Sequence, residues 1–238
     1  MRSQERGKRY WSQTTGARRQ CNREFLSLMI PTGVSCVRWF QACCISQERD
    51  WIEVIVADAA SSDDTVAQVQ AAQTRLKTRI VSCELSRGGT QNAGAALATG
   101  DILLFLHADT RLPLGYDKLI RDALRTPGAV AGAFSFGVDP TSFSQRPPVG
   151  LGVMAAFAQW RAATFSLPYG DQAIFMTAQR WQHIGPFPNS VMMEDFHLVG
   201  TMRRVAVSEG GCVPLIPSPA LCSGRRWEKN GVLWVRML

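Results

Sequence analysis

Asp101-Ile-Leu-Leu-Phe-Leu-His107, followed at once by Ala108-Asp109-Thr110, is the stretch on which the reading of this chain turns. Its unbroken apolar run is that of a strand buried on both faces, as in a parallel sheet covered by helices on each side. Asp109 falls just past the strand, where ligands bind in open α/β sheets. Upstream, Gly100 is placed as the C′ residue of a helix over 92–98, which follows a glycine-bearing turn, Arg87-Gly88-Gly89. Residues 78–83 read as a strand, and 64–75 as a helix with Ser62 and Asp63 offering its N-cap. Trp51-Ile-Glu-Val-Ile-Val-Ala57 and Phe25-Leu-Ser-Leu-Met-Ile30 are two more apolar strands. Downstream, Pro113 opens a helix to Leu124, and the Pro-rich stretch 139–148 is a long loop. Strand and helix alternate, so the first half predicts a mostly parallel sheet with helices on both faces.

At 238 residues, 46% hydrophobic and 19% charged, the chain is long enough for one α/β core and too apolar for a disordered protein. Residues 1–23 hold Arg2, Arg6, Lys8, Arg9, Arg18, Arg19 and Arg23 against the single acid Glu5, and so carry six of the seven net positive charges. The basic character therefore belongs to a tail rather than to a nucleic-acid-binding face. That tail reads as a disordered extension: it lacks both the apolar centre of a secretory signal and the amphipathic pattern of an organelle-targeting peptide. The rest, 24–238, reads as a single domain in the cytoplasm.

Seven cysteines, an odd number without a Cys-x-x-Cys pair, read as reduced thiols and disfavour zinc. No stretch approaches the roughly 20 apolar residues that span a bilayer. The nearest, 147–160, stops at Arg161; it reads as a buried or interfacial helix, with core packing preferred and peripheral contact with the inner membrane face as the alternative.

Three acidic stations are candidates for chemistry. Asp58 ends one apolar strand ahead of the small turn Ala59-Ala60-Ser61-Ser62-Asp63, and Asp109 ends another. We expect these two strands to be neighbours, which would bring the two carboxylates to one edge. Glu194-Asp195 opens a helix running through His197 to Arg204, where acids also complement the helix dipole. Gly88, Gly89 and Gly94 match neither Gly-x-Gly-x-x-Gly nor a P-loop, which disfavours both of those nucleotide folds.

Taken together, Val56-Ala-Asp58…Ser61-Ser62-Asp63-Asp64-Thr65, the run Asn92 to Thr110, Pro168-Tyr169-Gly170-Asp171-Gln172, Met193-Glu194-Asp195 and Arg225-Arg226-Trp227-Glu228 resemble family-2 glycosyltransferases. Within that family the chain looks most like bacterial arsenosugar-biosynthesis transferases, also described as associated with radical-SAM/selenodomain proteins. The resemblance implies an α/β GT-A (Rossmann-like) nucleotide-diphospho-sugar transferase fold. It also implies inverting transfer of a sugar from a UDP- or GDP-sugar to an acceptor hydroxyl.

By the same resemblance, Asp58, Asp63, His107 and Asp109 bind the donor. Asp109 is the last acid of the family's Asp-x-Asp element and would hold Mg²⁺ or Mn²⁺. His107 stands where many relatives have the first acid, leaving one protein carboxylate and a coordination shell completed by phosphate and water. Asp195 matches the general base, and Asp171, Gln172, Glu194, Arg225, Arg226 and Trp227 would line the sugar and acceptor side.

The chain also departs from the family pattern. Relatives carry Asn-Glu after the first strand where this chain has Pro31-Thr32-Gly33-Val34, and glycines where it has Ala59, Ala60 and Asp64. Alanine and aspartate accept a positive φ less readily than glycine does. These changes sustain a rival reading, a catalytically weakened homologue that binds nucleotide or a partner. A nucleotidyltransferase on a related fold would need a glycine-rich loop and Lys near the first strand, and neither is present.

Overall fold

The computed structural model describes residues 26–32, 52–61, 64–72, 77–83, 86–188 and 193–231. The basic stretch 1–23 and Asp63 lie outside the described residues. Strands β1 (Leu26–Thr32), β2 (Ile52–Asp58), β3 (Lys77–Ser82), β4 (Ile102–Phe105) and β7 (Ile174–Thr177) form one sheet in the order β3-β2-β1-β4-β7. The first four run parallel, and β7 lies antiparallel to β4 with Phe105 opposite Ile174.

The run that opened the reading shows why this sheet is buried on both sides. Ile102, Leu104 and Leu106 face one apolar cluster, and Leu103 and Phe105 the other. Alternate side chains of a strand point to opposite faces, so a continuous apolar run needs cover on each. On the first face lie Val69 of α1 (Thr65–Ala72) and Tyr116 and Ile120 of α3 (Tyr116–Leu124). On the second lie Ala95 of α2 (Arg87–Leu97), Trp181 of α5 (Ala178–Ile184) and Met202 of α6 (Glu194–Glu209).

A second sheet, β5 (Thr110–Arg111), β8 (Leu215–Ser223) and β6 (Ala133–Asp139), has the order β5-β8-β6 and packs Phe134, Ile216 and Ala220 into the first cluster. The two sheets are stitched at Gly132, whose N–H donates to Phe175 O (2.8 Å) and whose carbonyl accepts from Phe175 N (2.9 Å). A Cβ at Gly132 would lie 2.4 Å from the Phe175 ring, so only glycine allows this approach.

One buried charge organises the far end of the parallel strands. Burial opposes ionisation of Glu53. Hydrogen bonds from Ser27 Oγ (2.6 Å), Thr99 N (2.6 Å) and Thr99 Oγ1 (2.9 Å), with the Arg79 guanidinium at 2.7 Å, nevertheless hold its carboxyl below the usual range.

Three expectations are corrected. The strands ending at Asp58 and Asp109 are not neighbours, because β1 lies between them and pairs with both. Chain order crosses over there, as in doubly wound sheets. Helix α2 begins at Arg87 rather than beyond the glycines: Ser86 caps it through Gly89 N (3.2 Å), and Gly88 is enclosed, its imagined Cβ 2.7 Å from Pro188 O. The apolar stretch around 147–160 becomes α4 (Leu151–Phe165), and it is not a core helix. Leu151 and Ala162 are buried, while Val153, Phe157, Trp160 and Phe165 are exposed. One sheet offers it one surface to pack on, and the opposite face meets solvent. No helix among the described residues is long and apolar enough to cross a membrane.

Candidate active site

The chain leaves the first sheet at the end of β4 and enters the second at β5, and His107-Ala108-Asp109 is the turn between them. Leu106 N still donates to Met29 O (2.9 Å), so the turn begins from a rigid, paired strand. Thr110 N then donates back to His107 O (3.0 Å), and Ser223 N donates to Asp109 O (2.9 Å). Asp109 is thus fixed by both sheets at once. The last of those bonds also places the end of β8, and the Arg225-Arg226 that opens α7 (Arg225–Asn230), on the same side.

The turn Gly170–Gln172 supplies the opposite wall. Gly170 N donates to Asp195 Oδ2 (2.9 Å), while Asp195 Oδ1 accepts from Phe196 N (2.8 Å) at the start of α6. A Cβ on Gly170 would stand 2.8 Å from His107 Nε2 and 3.3 Å from Asp195 Cβ. His107, Gly170 and Asp195 therefore meet so closely that a carbon added at Gly170 would force the His107 ring to shift.

The turn is held by Gln172, which is fully buried: its Nε2 donates to Phe134 O (3.0 Å) and its Oε1 accepts from Tyr169 N (3.0 Å). Next to it, Asp171 Oδ1 is buried without a hydrogen-bond partner. Burial first, and then the nearby carboxylates of Asp195 and Asp109, push the Asp171 carboxyl up to about 6. Burial likewise lowers His107, with Arg87 and Arg226 adding to the fall against the opposing Asp109 and Asp195, so the imidazole is neutral near neutral pH.

Five of the expected residues thus converge: His107, Asp109, Asp171, Asp195 and Arg226. Glu194 adjoins them, buried, with Arg87 Nε 3.7 Å away. Trp227 is also buried, and its indole packs edge-on to Phe136 (centroids 6.1 Å apart) rather than lying open to a ligand. Asp58 sits across β1 from this group. Its carboxylate accepts from Ser61 Oγ (2.5 Å) and Ser61 N (3.1 Å), closing the turn that follows β2, and Ala60 in that turn has φ 56°.

Sequence reading missed three residues at the site. Arg161 stacks on Tyr169 (3.5 Å to the ring centroid) and draws the Asp171 carboxyl downward; its one signal was being the first charge after an apolar stretch. Gly170 drew no separate attention, because its closeness to His107 is purely tertiary. Asn92, quoted only as part of a motif, clamps the loop before α6: its Nδ2 donates to Phe187 O and its Oδ1 accepts from Phe187 N, both at 2.9 Å.

The fold family implies a divalent cation here. Among the described residues no group of three or more His, Cys, Asp or Glu side chains forms a ready metal cage. The site instead concentrates carboxylates: burial first, and then Asp195 and Asp109, raise Asp171. That surplus of negative charge fits a cation held by Asp109, with oxygens of water and phosphate completing its shell.

Residues 41–182, more than half of the chain, match the model of glycosyl transferase family 2. No curated protein matches the chain. Among solved structures, a mannosyltransferase from Pyrobaculum calidifontis in complex with GDP-Man and Mn²⁺ superposes with TM-score 0.62 at 20% identity, over 92% of this chain and 62% of that one. TarS from S. aureus in complex with UDP-GlcNAc gives 0.58 at 17% identity, over 75% and 53%. Glucosyl-3-phosphoglycerate synthase from Mycobacterium tuberculosis, in complex with Mn²⁺, UDP-Glc and glycerol 3-phosphate, gives 0.56 at 18% identity, over 88% and 79%. The chain thus spans less than two thirds of the first two proteins, and at these identities the likeness carries the fold. Family model and sheet order agree: this chain belongs to glycosyl transferase family 2 and is built on the GT-A fold.

Proposed function

We propose that the chain is a metal-dependent, inverting glycosyltransferase that moves a sugar from a UDP- or GDP-sugar to an acceptor hydroxyl. The observation that carries this reading is the convergence of Asp109, Asp171 and Asp195 where β4 crosses to the second sheet, beside Arg226. Asp195 is the general base. Two backbone N–H groups orient its carboxylate, and it takes the acceptor's proton as that oxygen bonds to the anomeric carbon. The bond from that carbon to the donor phosphate breaks on the opposite side, and the nucleoside diphosphate leaves with the electron pair. Arg225 and Arg226 face its oxygens with guanidinium forks. Asp109 would hold Mg²⁺ or Mn²⁺, which when bound would neutralise the diphosphate charge.

Asp58 and Asp63 hold the nucleoside end, and His107, neutral, donates to or accepts from the donor without adding charge. Asp171 and Glu194 line the sugar and acceptor side. Gln172 and Trp227 serve it from behind, by holding the Gly170 turn and the base of α7. The likeness to arsenosugar-biosynthesis transferases makes a small-molecule arsenical one acceptor to assay.

Calorimetric titration of UDP and of GDP, with and without Mn²⁺, tests the donor site in wild type and Asp109→Ala. Metal-dependent binding lost in the variant is expected. No binding of either nucleotide under any condition would favour the second reading, a weakened homologue. The observation behind that reading is Ala60 at φ 56° in the nucleoside-side turn.

A further inference from the structure

Helix α4 presents two apolar faces, and only one of them is covered. Leu151, Met154, Ala155 and Ala158 pack toward Phe136, Cys222 and Trp227. The outward stripe holds Val153 (77% exposed), Phe157 (49%) and Trp160 (52%), extended at its ends by Val149 and Phe165. Phe157 and Trp160 stack at 5.6 Å, and Trp160 meets Phe165 edge-on at 5.3 Å, so the aromatic rings form one continuous patch. A helix apolar all round is normally buried, and a contiguous exposed apolar patch marks an interaction surface.

The charge around the patch selects its partner. From Pro140 to Gly170 there is no Asp or Glu; of the two charged residues, Arg146 is exposed and Arg161 stacks on Tyr169. Of the flanking acids, Asp139 is fully buried with Arg111 at 3.3 Å, and Glu228, half-buried, accepts from Ser144 N (2.9 Å) and Gln145 N (3.1 Å). Those two bonds tie α7 to the loop leading into α4, so the exposed Arg146, Arg225 and Lys229 border the same surface. Aromatic rings between basic side chains, without exposed acids, are the composition that seats a helix at the headgroup level of an anionic bilayer. We infer that the outward face of α4 docks on an anionic lipid surface. The inference stands independently of the transferase reading.

The test is co-sedimentation of the full chain with vesicles of equal parts phosphatidylcholine and phosphatidylglycerol, and with phosphatidylcholine alone. Wild type should bind the anionic vesicles more strongly, and Phe157→Glu/Trp160→Glu should weaken that binding by about tenfold or more. Arg146→Glu/Lys229→Glu, which alters exposed charges alone, should remove most of the preference for anionic vesicles. Unchanged binding in both variants would assign it to the basic stretch 1–23 and overturn the proposal. So would a wild-type dimer, seen by light scattering, that Phe157→Glu/Trp160→Glu makes monomeric while wild type ignores vesicles. Donor titration on the same preparations separates the two readings: nucleotide binding kept by variants that no longer sediment supports both, and absent nucleotide binding with intact sedimentation sinks only the transferase.

Discussion

The two halves of the site are built to different standards. Around Asp109 and Asp195 the supports Leu106, Ser223, Gly170 and Gln172 are buried: Leu106 is paired to β1, Asp109 O to Ser223, and the Gly170 turn to both Gln172 and Asp195. Around Asp58, Ser61 supplies two hydrogen bonds that close the turn and Cys83 N donates to Asp58 O (2.8 Å), but the backbone at Ala60 takes a left-handed conformation that favours glycine. Rigid preorganisation is placed where protons and charge would move, and strain is left where a nucleoside would be gripped. The contrast teaches that chemistry and affinity can fail separately in this molecule.

The sharpest way to break the comparison is Asp195→Asn. Transfer should fall by about a hundredfold to ten-thousandfold in single-turnover assays, with nucleotide affinity unchanged. If affinity collapsed as well, Asp195 would be holding the site together rather than serving as its base. Next comes Gly170→Ala, whose new carbon would push the His107 ring away and crowd Asp195. Displacing either group should cost about tenfold or more in rate, while thermal unfolding should report a loss of about 1–3 kcal/mol. An active, fully stable variant would mean that this wall yields.

Asp171 gives a pH test of the same wall. Its carboxyl titrates near 6 in the folded protein, above its ordinary value, so ionising it works against folding. That cost is fully present above pH 6 and absent below the unfolded value near 4. In metal-free protein, Asp171→Asn should therefore stabilise by about 2 kcal/mol at pH 8, with the gain fading as the pH falls from 6 to 4. Denaturant melts across that range would show a flat difference if neither burial nor the neighbouring carboxylates raised the Asp171 carboxyl. The smallest effect belongs to the other half: Ala60→Gly should relieve the turn by about 1 kcal/mol in urea unfolding and tighten nucleotide binding by a few-fold. If neither changed, the strain at Ala60 would not limit the donor side.

Much of this was legible from residue order because it rests on local patterns. The apolar run ending at His107 announced a strand covered on both faces, and Asp109 followed as the acid past its end. Glu194-Asp195 opened its helix where expected. The alanines at 59 and 60 flagged a turn that glycine suits better, and Ala60 does have positive φ. Other features were invisible for one shared reason. The second sheet pairs β6 with β8, whose sequences lie far apart, and its short β5 has no pattern of its own. Placing β1 between β2 and β4 required knowing the strand order, which periodicity does not encode.

By itself the sequence determined that strands and helices alternate, that the central strands are buried on both faces, and which acids end them, since all three follow from side-chain type and spacing along the chain. Only the tertiary structure decided that His107, Gly170 and Asp195 meet, that Asp171 is crowded by like charge, that Trp227 turns inward and that α4 keeps an apolar face in solvent. Each of these depends on what lies opposite a residue in space, and that is set by how the two sheets pack.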